Sequence, residues 1–163
     1  MAVPEPAMPD GRVYVASTIA VGLVAMAHAA LTWPPRAAVA LFAGGAAVAF
    51  VAEAVAIRLG WLEHHVDPQI LGVPLYALFG WTGLIYVAFR AALLVTDGPT
   101  AVVAGAALAA GYDALIDHRG VEEGLWTYTD DLPGPRRRVV PWWNVAGWLA
   151  VGSTTAALSL PFL

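Results

Sequence analysis

Two aspartates four residues apart, Asp113 and Asp117, close an apolar stretch in the segment GYDALIDHRGVEEGLWTY, residues 111–128. That spacing puts both carboxyls on one face of a helix. A third acid, Glu53, stands in the last turns of another apolar segment, and Arg58 is not on its face. An Asp at a bilayer centre costs about 2.5–3.5 kcal/mol, so acids in such segments ordinarily face the protein interior and have a role. Desolvation and like-charge proximity favour the protonated form. A carboxylic acid held neutral can donate a proton. Protonating the trisubstituted terminal double bond of an apolar polyene gives a tertiary carbocation. Water captures that cation in a hydratase, and an internal double bond captures it in a cyclase.

The expected roles follow from depth. Asp113 lies one turn deeper than Asp117 and is the preferred proton donor. Asp117 or Glu53 would hold the attacking water. Asn144, among Trp142, Trp143 and Trp148, would orient it. Trp61, Tyr76, Trp81, Trp126, Tyr128, Trp143 and Trp148 are the expected substrate-binding aromatics, since aromatic faces stabilise cations. Interfacial anchoring is the competing reading for the tryptophans. His64, His65 and His118 read as loop residues and His28 as structural. No spacing among them supports a metal site, and none is expected.

Apolar segments must position these groups. Hydrophobic residues make up 60% of the 163, and charged residues only 12%, far from the balance of a soluble domain. Residues 13–33, 37–52, 68–89, 98–112 and 139–163 contain no Asp, Glu, Lys or Arg. A spanning helix needs roughly 20 mostly apolar residues. The pattern predicts an all-α integral membrane bundle with five transmembrane helices near 12–33, 36–59, 71–95, 98–117 and 141–162. It would form a single membrane domain after an N-terminal tail, residues 1–11. The first run is too long, and its leader MAVPEPAMPDGR too acidic, for a cleaved signal. The absence of cysteine excludes disulfides and thiol catalysis. A net charge of −4 gives no footing for nucleic acid.

The arginines orient the helices. Arg12, Arg58, Arg119, Arg136, Arg137 and Arg138 fall on one side, Arg36 and Arg90 on the other. Positive residues favour the cytoplasm. The N-terminus, the 60–70 loop and the 118–140 loop are therefore expected inside a cell membrane, and the C-terminus outside.

An internal repeat is also expected. VPLYALFGW (73–81) and VPWWNVAGW (140–148) share Val-Pro-x5-Gly-Trp with an aromatic two residues after Pro. Glu53 precedes Trp61 by eight residues, and Asp117 precedes Trp126 by nine. Units of about 36–95 and 98–162 would set the two acid clusters at equal depth.

YDALIDHRGVEEGLWTY followed by VVPWWNVAGW resembles the membrane carotenoid biosynthesis protein family that includes carotenoid 1,2-hydratases. That family shows Asp-x3-Asp-Pro, a Trp-x-Trp loop, then Gly-Val-Pro-x2-Asn-x2-Gly-Trp. The matching positions here are Asp113, Asp117, Trp126, Tyr128, Val140, Pro141, Asn144, Gly147 and Trp148. His118, Tyr128 and Val139 depart from the pattern. The resemblance covers about residues 50–150, with Glu53, Gly60 and LGVPLYALFGW carrying the weaker first half. It implies a carotenoid or isoprenoid substrate, lyase-type hydration and no cofactor. The chain is shorter than such hydratases, so action as a homo-oligomer is compatible with it. The alternatives are a lycopene-cyclase-like enzyme, a non-catalytic lipid- or pigment-binding protein, and a prenyltransferase-like enzyme. Only the last would need Mg²⁺, held by Asp-x3-Asp through a diphosphate, and no Asp-rich second motif accompanies it.

Overall fold

A computed structural model describes residues 9–163. Helix α1 (Pro9–Thr32) is the first long element. α2 (Pro35–Val39), a π-helical turn (Ala40–Gly44) and α3 (Gly45–Arg58) run on as the second. α4 (Leu75–Ala92) is the third. α5 (Gly98–Ile116) and the short α6 (His118–Glu122) make the fourth. α7 (Trp142–Ser159) and a closing 3-10 turn (Leu160–Phe162) make the fifth. All five are long and apolar enough to cross a membrane. Large apolar side chains such as Val24, Leu31, Val39, Val51, Leu94 and Val103 point outward. Water would not tolerate so continuous an apolar surface, whereas lipid matches it. The architecture is that of a multi-pass membrane helical bundle.

The element bounds depart from the sequence expectation in three places. Of the expected tail 1–11, residues 1–8 lie outside the described residues and residues 9–11 already belong to α1. The third span is shorter than 71–95. Val73–Pro74 is extended and pairs with Gln69–Ile70, because Pro74 offers no N–H and holds its predecessor out of the helical region. The fourth span continues beyond residue 117 into α6.

α4 is the central helix and packs against α1, α3, α5 and α7. Its seam with α1 is built on bare backbone. A Cβ at Gly83 would lie 2.8 Å from the Cα of Gly22. Lipid gives helices no hydrophobic reason to associate, so contact this close depends on small residues.

Six short strands order the two loops on one side of the bundle. β1 (Leu62–His64) and β4 (Trp126–Tyr128) pair antiparallel, with Glu63 opposite Thr127. β2 (Gln69–Ile70) and β3 (Val73–Pro74) form a hairpin, as do β5 (Arg136–Arg137) and β6 (Val140–Pro141). Each hairpin turns through two residues, and each turn begins with a left-handed non-glycine, Leu71 (φ 53°) or Arg138 (φ 56°). Each then leads through Val-Pro into a long helix.

The helix ends feeding these loops also match. Gly60 and Gly124 both have positive φ, 74° and 69°. Gly60 N–H donates to Ile57 and Trp61 N–H to Ala56. Gly124 N–H donates to Val121 and Leu125 N–H to Gly120. Both are Schellman endings, in which a left-handed residue lets two N–H groups satisfy the last carbonyls. By position after these glycines, Trp61 corresponds to Leu125 and Leu62 to Trp126, one residue off the Trp61–Trp126 match read from the sequence.

Candidate active site

The acids are delivered by the ends of α3 and α5, and the loops that follow return a partner to each. β1 brings His64 back to Glu53, with Nε2 3.1 Å from Oε2. β4 brings Tyr128 back to Asp117, its hydroxyl donating to Oδ2 at 2.8 Å. In both cases the partner lies eleven residues after the acid. The second Glu53 oxygen accepts the Trp81 Nε1–H at 2.8 Å. Asp113, one turn deeper on α5, accepts the Asn144 amide at 2.9 Å from α7. Glu53, Asp113, Asp117 and Asn144 are all buried.

Of the three carboxyls, Tyr128 bonds Asp117 alone. Burial pushes its phenol well above the usual range, and charge on Asp117, Asp113 or Glu53 pushes the same way. Tyr128 stays a hydrogen-bond donor, which holds Asp117 in place.

Beside this cluster lies a cavity of about 640 Å³, lined by α1, α4 and α5 together with His64, Trp126 and Trp148. α1 and α5 each pack against α4 but barely touch each other. The cavity is therefore a cleft with apolar residues such as Val21, Val87 and Leu108 exposed at its edges. It follows α4 from Tyr76 to Ala91, about 22 Å at the helical rise. A second groove of about 480 Å³ shares Val21 and Val87 with it and runs on to His28 and Arg90. His28 Nδ1 is 2.7 Å from the Tyr86 hydroxyl there.

The expected site residues divide by position. Asp113, Tyr76, Trp81, Trp126 and Trp148 line the cavity. Glu53, Asp117 and Asn144 stand behind the wall, engaged with His64 and Trp81, Tyr128, and Asp113 respectively. Trp61, Tyr128 and Trp143 form their own cluster outside the cavity, with Trp143 5.5 Å from each of the other two rings. Trp81 and Trp148 stack with centroids 3.7 Å apart and planes 16° from parallel. Each sits seven residues beyond its Val-Pro proline. Among the described residues no three His, Cys, Asp or Glu side chains converge to hold a metal ion.

Sequence reasoning missed His64 and Tyr14. His64 lines the cavity with a side chain only 5% exposed. Its ring stands edge-on to Trp126 at 6.0 Å. Tyr14, on α1, also packs edge-on with Trp126, at 5.8 Å. The one signal for His64 was the eleven-residue offset it shares with Asp117 and Tyr128, which is visible only once β1 and β4 are paired.

No family model, curated protein or solved structure matches the chain.

Proposed function

We propose that this protein is a membrane enzyme of isoprenoid chemistry that adds water to a terminal double bond of a long apolar polyene. One observation carries the reading: Asp113 is a buried carboxyl in the wall of a largely apolar cleft between helices long and apolar enough to cross a membrane. Asp113 donates the proton from a position fixed by Asn144. The stacked Trp81–Trp148 pair and Trp126 offer π-faces to the cation. Asp117, fixed by Tyr128, stands behind as a polar support. The resemblance to carotenoid 1,2-hydratases, through Asp113, Asp117, Val140, Pro141, Asn144, Gly147 and Trp148, agrees with this chemistry. Expression in a lycopene-producing host should yield a pigment heavier than the empty-vector control by one water. Unchanged mass with altered absorption would instead mark cyclisation, and unchanged pigment would mark binding alone.

The matched helix ends, hairpins and acid–partner pairs support reading the chain as two repeated units joined through β1 and β4. They also support an orientation. Tyr14 near the start of α1 touches Trp126, so that end of α1 lies with the two loops. Six of the eight basic residues then share one side. Positive residues collect in the cytoplasm, which puts the N-terminal end of α1 and both loops inside, and the C-terminus outside. The chain has no cysteine of its own. A single cysteine at the exposed Asp131 should react with an impermeant thiol reagent only in opened cells, and one at Asp97 should react in intact cells. Labelling at 131 in intact cells would reverse the orientation.

A further inference from the structure

The hydratase reading leaves one cavity-lining group without a task. His64 was not among the acids and aromatics that the sequence singled out, yet it is hydrogen-bonded to one of those acids and lines the cavity. Its Nε2 faces Glu53 Oε2 at 3.1 Å. The other Glu53 oxygen is already taken by the Trp81 indole N–H. A carboxylate only accepts, so Glu53 fixes the imidazole proton on Nε2. Nδ1 is then left as a lone pair. That atom is buried and has no hydrogen-bond partner among the described residues. The ring belongs to the cavity wall that also holds Asp113. The Tyr76 hydroxyl, in the same wall, is likewise buried without a partner. An unpaired buried polar atom costs about 1–3 kcal/mol. Three of them in one wall, the Trp126 indole N–H being the third, call for a polar ligand, and an apolar polyene supplies none at its end.

We propose that His64 Nδ1 is the base that takes the proton from the attacking water, with Glu53 as its positioning residue and the Tyr76 hydroxyl as a second contact to that water. This rests on the hydratase reading of the cavity. The balance is simple. The Asp113 O–H bond breaks, and the alkene π pair forms a C–H bond at the less substituted carbon. The water oxygen forms a C–O bond to the tertiary cation. One water O–H bond breaks, and its proton goes to His64 Nδ1. That proton returns to the Asp113 carboxylate, so the cycle adds one water and consumes nothing else. Donor and base are separate groups reached from different elements, α5 and β1. A carbocation therefore forms before any base has acted.

The test separates those two steps. In D₂O, Asp113 alone can protonate the alkene and take a proton back, which leaves deuterium in recovered substrate. His64→Gln retains a donor toward Glu53 and removes the base. It should cut hydration by about 10²–10⁴-fold and leave deuterium exchange into substrate intact. Glu53→Gln tests the same idea with His64 present. Its carbonyl still accepts from Trp81, while its amide N–H faces Nε2 and moves the imidazole proton to Nδ1. The same loss of hydration with retained exchange is expected. Near-normal hydration in either variant, or loss of exchange together with hydration, overturns the proposal. A wild-type protein that neither hydrates nor exchanges deuterium overturns the hydratase reading itself, which is a different result from exchange without hydration.

Discussion

Asp113→Asn should remove product formation while leaving the protein inserted and folded. A positioned acid contributes about 10²–10⁴-fold to a proton-transfer step, and here protonation is the step that creates the cation. The substitution is close to isosteric. The new side-chain carbonyl still accepts the Asn144 amide that Asp113 accepts at 2.9 Å. Only the transferable proton goes. Yield from membranes and the exciton signal of the Trp81–Trp148 stack should both match wild type. Asp117→Asn perturbs the same unit through its Tyr128 bond. If the two acids act together, the double variant should be little worse than Asp113→Asn alone, as for groups that work as one machine. Near-normal turnover of the Asp113 variant would reduce the Asp113–Asn144 contact to a structural bond between α5 and α7.

The sequence exposes some of this site and hides the rest for physical reasons. Hydropathy is a sum over some twenty residues, so five spans stand out even where Glu53 or Asp113 interrupts them. The Val-Pro-x5-Gly-Trp blocks are equally legible, because proline, glycine and tryptophan carry strong local constraints. The two Trp81- and Trp148-bearing helices therefore begin alike. The partners of the acids are a different matter. His64 and Tyr128 share no chemistry that a sequence comparison would align. They sit on three-residue strands too short to show alternation. Their equivalence lies in an eleven-residue return path, set by two Schellman endings and one antiparallel pairing. The histidines of these segments consequently read only as loop residues, and Trp61 reads as the counterpart of Trp126. In space Trp61 packs on Trp143, away from the cavity. The division between wall and backing is also invisible in sequence. Asp113 and Asp117 share a helix face, yet Asp113 lines the cavity and Asp117 does not, while Trp126 forms part of that cavity's aromatic cover.

That cover depends on a single missing methyl group. Trp126 lies flat against Gly120 of α6, and a Cβ there would fall 1.8 Å from its Cη2 and 2.2 Å from its Cζ2. The ring cannot step aside. Tyr14 and His64 both pack on it, and Leu125 beside it is fully buried. The Gly120 carbonyl also accepts the Leu125 N–H that closes the helix end, so the backbone cannot retreat either. Gly120→Ala should therefore destabilise by about 1–3 kcal/mol, the range for overpacking a tight core. It should also drive Trp126 towards His64 and into the cavity. The expected result is a lower thermal midpoint in detergent and a larger fall in turnover than the stability loss alone explains. Trimming the ring tests the cause. Gly120→Ala combined with Trp126→Leu should regain the midpoint lost by Gly120→Ala, giving a strongly non-additive cycle. It should not regain full activity, because the cleft then lacks its aromatic cover. A double variant whose midpoint is the simple sum of the two single losses would show that Gly120 matters for its backbone and not for the ring it admits.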